Sequence, residues 1–126
     1  MESALENDLP ALQAAFSAFN RWLAEDWGFS YKDRLFAAPY ITLSDVQHAI
    51  SELEFAIDNN VRVINFRASA VTTADGQESS DPILMTFGRV NDAGITAAFH
   101  AGDAAYDFLF AHWGLSTEFE AFDMTL

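Results

Sequence analysis

The sequence predicts an α/β fold in which about three parallel strands alternate with helices. Three apolar runs of strand length occur, at Leu35–Leu43, Val61–Arg67 and Ile95–Phe99, and amphipathic stripes of helical period lie before and between them. The connections are short, so each strand, helix, strand unit implies a right-handed parallel crossover. At 126 residues the chain is long enough for one domain with its own core and not for two, so residues 1–126 are expected to form a single domain.

The first helix is expected from about Pro10 to Trp27. Asn7 and Asp8 are available as caps, Pro10 suits a first turn, and Leu12, Phe16, Phe19 and Leu23 recur at spacings of four, three and four. Gly28 ends it, and Trp22 and Trp27 read as packing residues near that end. After a polar turn at Ser30–Arg34, the nearly continuous apolar run from Leu35 reads as a strand covered on both faces, with Pro39 placed where a ladder donor is least missed. Ser44 with Gln47 makes a capping box for the next helix. Its stripe is Val46, Ala49, Ile50, Leu53, Ala56 and Ile57, with His48 off the stripe and expected in solvent.

Asp58, Asn59 and Asn60 tolerate a left-handed conformation and close that helix before the strand Val61–Arg67. A loop rich in Thr, Asp, Gly and Ser follows from Thr72 to Ser80. Asp81 and Pro82 then open a helix to about Asp92, which Gly94 stops. The third strand ends at His100, and Tyr106 to Trp113 suggest a short helix broken at Gly114 before an apolar tail.

Composition narrows the functional classes. The net charge of −13 would repel a phosphate backbone, so no nucleic-acid partner is expected. No run of 18 apolar residues exists and the N-terminus lacks the signature of a signal peptide, which gives no membrane partner and a cytoplasmic location as the default. The absence of Cys excludes a disulfide framework and thiolate chemistry. With 51% hydrophobic residues and 12 Phe in so small a chain, some apolar surface is expected to face a partner, through self-association or contact with a missing part of the same fold.

Parallel neighbours deliver corresponding ends to one side, so Arg67 and His100 should emerge on one rim with Tyr40 and Asp103 in the neighbourhood. An imidazole is a common metal ligand, carboxylates share such sites, and an Arg fork holds a carboxylate substrate. The two architectures open to this element order are an open doubly wound sheet and a (β/α)8 barrel. No G-x-G-x-x-G, G-x-x-x-x-G-K-[ST], G-x-S-x-G, H-E-x-x-H or D-x-D-x-D-G motif occurs, so nothing points to a nucleotide cofactor or to serine-hydrolase chemistry.

A string of short motifs adds to this reading. Asn20-Arg21-Trp22-Leu23, Trp27-Gly28-Phe29, the stretch Asp33 to Ile41, Glu52-Leu53-Glu54, Asp81-Pro82, Arg89-Val90, Ala93-Gly94-Ile95 and Phe99-His100-Ala101-Gly102-Asp103 together resemble the middle of an amidohydrolase-related protein. The branch is that of aminocarboxymuconate semialdehyde decarboxylase and similar metal-dependent hydrolases and decarboxylases. The resemblance spans about Asn20 to Phe122. It implies part of a (β/α)8 TIM barrel with a divalent metal, usually zinc, at the carboxyl ends of the strands. His100 matches the metal-binding histidine at the end of the fifth strand. The family's H-x-H after the first strand, its histidine after the sixth and its aspartate after the eighth have no counterpart, and neither His48 nor His112 matches them. One His cannot make a catalytic zinc site.

Two functions follow as expectations. In the first, the chain is a central fragment of a metal-dependent enzyme that hydrolyses or decarboxylates a small carboxylate-bearing substrate, inactive in isolation, with Arg67 as carboxylate anchor and Tyr40 and Asp103 as further substrate contacts. In the second, it is a non-catalytic α/β interaction module or degenerate remnant that binds a protein partner through its apolar surface.

Overall fold

A computed structural model of the chain describes residues 3–5, 7–67, 71–72, 78–79, 88–100 and 114. Helix α1 (Leu9–Trp22) starts where the Asp8 carboxylate accepts a hydrogen bond from Ala11 N–H, with Pro10 in the first turn, and it runs on as a wider π-helical turn, Leu23–Trp27. A hairpin follows, β1 (Ser30–Tyr31) against β2 (Leu35–Phe36), turned by Lys32 and Asp33 at φ 52° and 51°. Helix α2 (Val46–Asp58) leads to strand β3 (Val63–Arg67). Two further two-residue strands, β4 (Val71–Thr72) and β5 (Glu78–Ser79), pair antiparallel where a polar loop was expected from Thr72 to Ser80. A helical segment at residues 88–92 precedes strand β6 (Thr96–His100).

Strands β3 and β6 are parallel and in register from Val63 opposite Thr96 to Arg67 opposite His100. The helices that feed them end in the same way. Asn60 (φ 56°) donates to Ile57 C=O and Val61 to Ala56 C=O; Gly94 (φ 65°) donates to Asn91 C=O and Ile95 to Val90 C=O. Both exits are Schellman motifs, and the residue after each left-handed position, Val61 or Ile95, is buried at the strand entrance.

The run Leu35–Leu43 is not one strand. Its first part is the hairpin arm β2, and among the described residues the backbone of its second part pairs with the parallel sheet at Tyr40, which bridges to Asn65 through Ile41 N–H to Asn65 C=O (3.0 Å) and Asn65 N–H to Pro39 C=O (2.9 Å). Pro39 has no N–H to extend a ladder backwards, so pairing shrinks to a single bridge. Backbone groups alternate sides along a strand; Asn65 therefore faces residues 39–41 while Arg62 C=O, which accepts from Thr96 N–H, faces β6. The parallel order is residues 39–41, then β3, then β6.

One sheet face packs on α2. Ile64 and Phe66 join Leu53, Ala49, Ala56, Ile41 and Leu43 in the core, and each large apolar side chain buried there contributes about 1.5–3 kcal/mol. The cap of α2 is Asp45 rather than Ser44: the Asp45 carboxylate accepts from His48 N–H at 2.8 Å, while Ser44 is buried beside Thr42. His48 is half-buried, with Nε2 3.4 Å from Ser17 Oγ, and not a freely solvated surface residue. Trp22 and Trp27 are not core packing residues either: they lie at the end of α1 and in the π turn, 45% and 71% exposed. The helix expected to open at Asp81-Pro82 is described only over residues 88–92; that expected from Tyr106 to Trp113, and the tail, lie outside the described residues.

On the side of residues 39–41 away from β3, Asn20 takes up the sheet edge. Its Oδ1 accepts from Tyr40 N–H and its Nδ2 donates to Tyr40 C=O, both at 2.9 Å, so a side-chain amide from α1 takes the place of a neighbouring strand's peptide. Asn20 is 1% exposed, and its second amide hydrogen goes to Glu52 Oε2. Asn20→Ala leaves two backbone groups and a carboxylate oxygen short of partners in a buried place; about 3 kcal/mol of stability should be lost in urea denaturation, and a loss below about 1 kcal/mol would show that water substitutes for the amide.

Candidate functional site

The carboxyl ends of β3 and β6 carry Arg67 and His100 at one level, opposite each other in register. Alternation puts both side chains on the sheet face away from α2, together with Val63, Asn65, Thr96 and Ala98. Arg67 and His100 do share a rim. Tyr40 sits one row lower, since it pairs with Asn65 two residues before Arg67, and its ring is stacked on Phe16 with centroids 4.4 Å apart. Asp103 and His112 lie outside the described residues.

Arg67 and His100 differ in environment. His100 is exposed at the strand end, while Arg67 is only 8% exposed and its Nε has no hydrogen-bond partner among the described residues. A buried guanidinium edge without a partner is unfavourable for folding unless something else uses it, and an oxyanion at the rim would supply the missing acceptor. Thr42, which the pattern reading passed over, and Ser44, which it read as a helix cap, follow Tyr40 towards the same end and are both buried, with hydroxyl oxygens 3.1 Å apart.

Behind this rim lies a polar network that holds the Tyr40 segment between α1 and α2. Glu52 Oε1 accepts from Ser17 Oγ (2.8 Å) and Arg21 Nη2 (2.9 Å), and Oε2 from Arg21 Nη1 and Asn20 Nδ2 (2.9 Å each). The Arg21 guanidinium also lies 3.6 Å from the Phe55 ring centroid. Burial pushes the Glu52 carboxyl up, but the hydrogen bonds from Arg21, Asn20 and Ser17 and the charge of Arg21 together outweigh it and hold the group below its ordinary value. Asn20 and Glu52 were detectable in the sequence as interruptions of an apolar series: Asn20 continues the four-residue spacing of Leu12 and Phe16, and Glu52 falls between Ala49 and Ala56 at spacings of three and four.

Among the described residues no group of three His, Cys, Asp or Glu side chains could hold a metal ion, so these residues alone do not fit a metal. Likewise, none of the described helices is long and apolar enough to cross a membrane.

Comparison with known proteins adds the decisive likeness. A crystal structure from Mycobacterium avium subsp. paratuberculosis K-10 superposes on 90% of this chain with a TM-score of 0.77 and 34% sequence identity. That protein is an amidohydrolase. The chain spans 31% of the amidohydrolase's length, so the likeness concerns one part of a larger enzyme. No protein-family model matches the chain, and no curated protein matches it.

Two outcomes test this description. Since Glu52 titrates below the ordinary 4.5 in the folded chain, the unfolded chain binds more protons in that window; its contribution to stability is complete above about pH 4.5 and is lost as the pH falls through the folded value. Glu52→Gln should therefore flatten the acid limb of the stability curve, and superimposable acid limbs would remove Glu52 from the account. Arg67→Met should leave the stability of this chain unchanged or raise it by up to about 1 kcal/mol, since it removes a buried group with an unpaired edge. A loss of more than about 2 kcal/mol in thermal or chemical denaturation would make Arg67 a structural residue instead.

Proposed function

We propose that this chain is the central part of an amidohydrolase-type (β/α)8 barrel, from a metal-dependent enzyme that hydrolyses or decarboxylates a small carboxylate-bearing substrate. The observation that carries the reading is the 34% identity to an amidohydrolase over 90% of the chain. The sequential order of residues 39–41, β3 and β6 supports it, because a barrel takes its strands in sequence order whereas a doubly wound sheet reverses direction.

In this reading the rim at Arg67 and His100 belongs to the active site, since barrel enzymes work at the carboxyl ends of their strands. Arg67 binds the substrate carboxylate through its guanidinium, with Tyr40 and Asp103 as further contacts. His100 provides one ligand to a divalent metal, zinc by preference, and the remaining ligands come from other parts of the barrel. When bound, such a metal activates water or polarises a carboxylate. The isolated 126-residue chain is inactive, its setting is the cytoplasm, and it contacts neither nucleic acid nor membrane. The competing proposal, an interaction module without catalysis, draws on the exposed aromatic side chains near the hairpin.

Zinc titration separates the parts of the proposal. The chain alone should bind zinc no better than a lone imidazole does, and His100→Ala should change nothing there. In a protein that supplies the rest of the barrel, the same substitution should lower metal content and activity together, with circular dichroism unchanged. Unchanged metal content would remove His100 from the ligand set. A metal-loaded complete protein with no hydrolase or decarboxylase activity would leave the interaction module.

A further inference from the structure

One carboxylate gathers the polar contacts by which α1 meets α2. Leu12 and Phe16, buried along α1, form no part of the apolar cluster packed on α2, which Leu23 of the following turn joins. Polar groups make the connection instead. Ser17, Asn20 and Arg21 of α1 all donate to Glu52 of α2, which is 4% exposed, and the Arg21 guanidinium lies on the Phe55 ring beside it. The same Asn20 covers the Tyr40 backbone, so whatever moves α1 away from Glu52 also uncovers the edge at Tyr40.

A carboxylate offers about four lone-pair sites. All four are taken here: Oε1 accepts from Ser17 Oγ and Arg21 Nη2, and Oε2 from Arg21 Nη1 and Asn20 Nδ2, at 2.8 to 2.9 Å. A proton can therefore enter only where a donor leaves. The neutral acid so formed also withdraws the charge that holds the Arg21 fork. The titratable and charged groups facing Glu52 among the described residues are Arg21 from α1 and, one turn earlier on α2, His48; Asp45 is engaged in capping the His48 N–H, and the segment 39–41 contributes the Tyr40 backbone. Ser17 has a single hydroxyl hydrogen and Glu52 takes it, so His48 Nε2, 3.4 Å from Ser17 Oγ, meets that oxygen as a donor and does not compete for the carboxylate. Burial pushes the Glu52 carboxyl up, but the donors and the charge of Arg21 hold it below 4.5, so the contact is closed at neutral pH and is lost as the pH falls through the lowered value.

We propose that Glu52 is a proton-operated latch on α1: in acid a donor is displaced, α1 lifts away with Asn20, and the Tyr40 N–H and C=O lose their partner while α2, β3 and β6 stay folded. The inference is independent of the enzymatic reading. Two adjacent amides report on it, because Tyr40 N–H is held by Asn20 Oδ1 and Ile41 N–H by Asn65 C=O, on opposite sides of one segment. Amide hydrogen exchange followed by NMR from about pH 7 to about pH 3, corrected for the intrinsic pH dependence of exchange, should show protection at Tyr40 falling about tenfold more than at Ile41 or at Thr96, whose N–H is held by Arg62 C=O. Glu52→Gln keeps the shape but takes up no proton, and should make the difference between Tyr40 and Ile41 independent of pH. Arg21→Gln, a variant on the other helix, should move the transition to higher pH, and His48→Gln should leave it in place. Protection lost equally at Tyr40, Ile41 and Thr96 overturns the proposal in favour of unfolding of the whole chain. Unchanged protection at Tyr40 down to about pH 3 overturns it outright. A transition that survives Glu52→Gln, ignores Arg21→Gln or vanishes in His48→Gln assigns the proton to another group and overturns it too.

Discussion

The arrangement depends on one side-chain amide. Asn20 satisfies both backbone groups of Tyr40 that point away from β3, and Glu52 orients Asn20 by accepting its other hydrogen. Without that contact the bridge to Asn65 would remain as the backbone pairing described for the Tyr40 segment. Helix α1 would then reach the rest of the chain near Tyr40 through the Phe16 ring stack and the Arg21 fork. A buried carboxylate is unfavourable unless its oxygens are met by donors, and here four donors converge on Glu52. The gain is geometric: two helices and the first parallel segment are fixed against one another by directional bonds, where apolar packing alone would allow sliding.

Much of the scaffold could be read from the sequence because it follows from periodicity and local backbone chemistry. The stripes of α1 and α2, the closures at Asn60 and Gly94, and the parallel strands were all visible in spacing and residue type, and parallel pairing then brought Arg67 and His100 to one level. The run Leu35–Leu43 misled because a continuous apolar stretch carries no period, and periodicity cannot distinguish an exposed hairpin arm from a buried strand. Trp22 and Trp27 misled for a related reason: size and hydrophobicity do not say whether a residue faces the core or a partner.

The site was less legible than the fold. A sequence shows that an Arg ends a strand, but not that its Nε is buried without an acceptor, which depends on neighbours distant in the chain. The hydroxyl of Thr42 was hidden inside a run read as apolar, and that of Ser44 was read as a helix cap. Asn20 and Glu52 did leave a trace, as polar residues at positions where the helical stripe calls for apolar ones. Such an interruption says that something polar must be waiting inside, without saying what.

The occupied edge at Tyr40 also gives the sheet a direction. With the amide of Asn20 seated where a strand would add, pairing beyond residues 39–41 is blocked at that point, while among the described residues β6 has β3 as its one strand partner. A strand joining beside residues 39–41 must therefore find its partners above or below Tyr40, whereas one joining beside β6 comes to lie next to the end that carries His100.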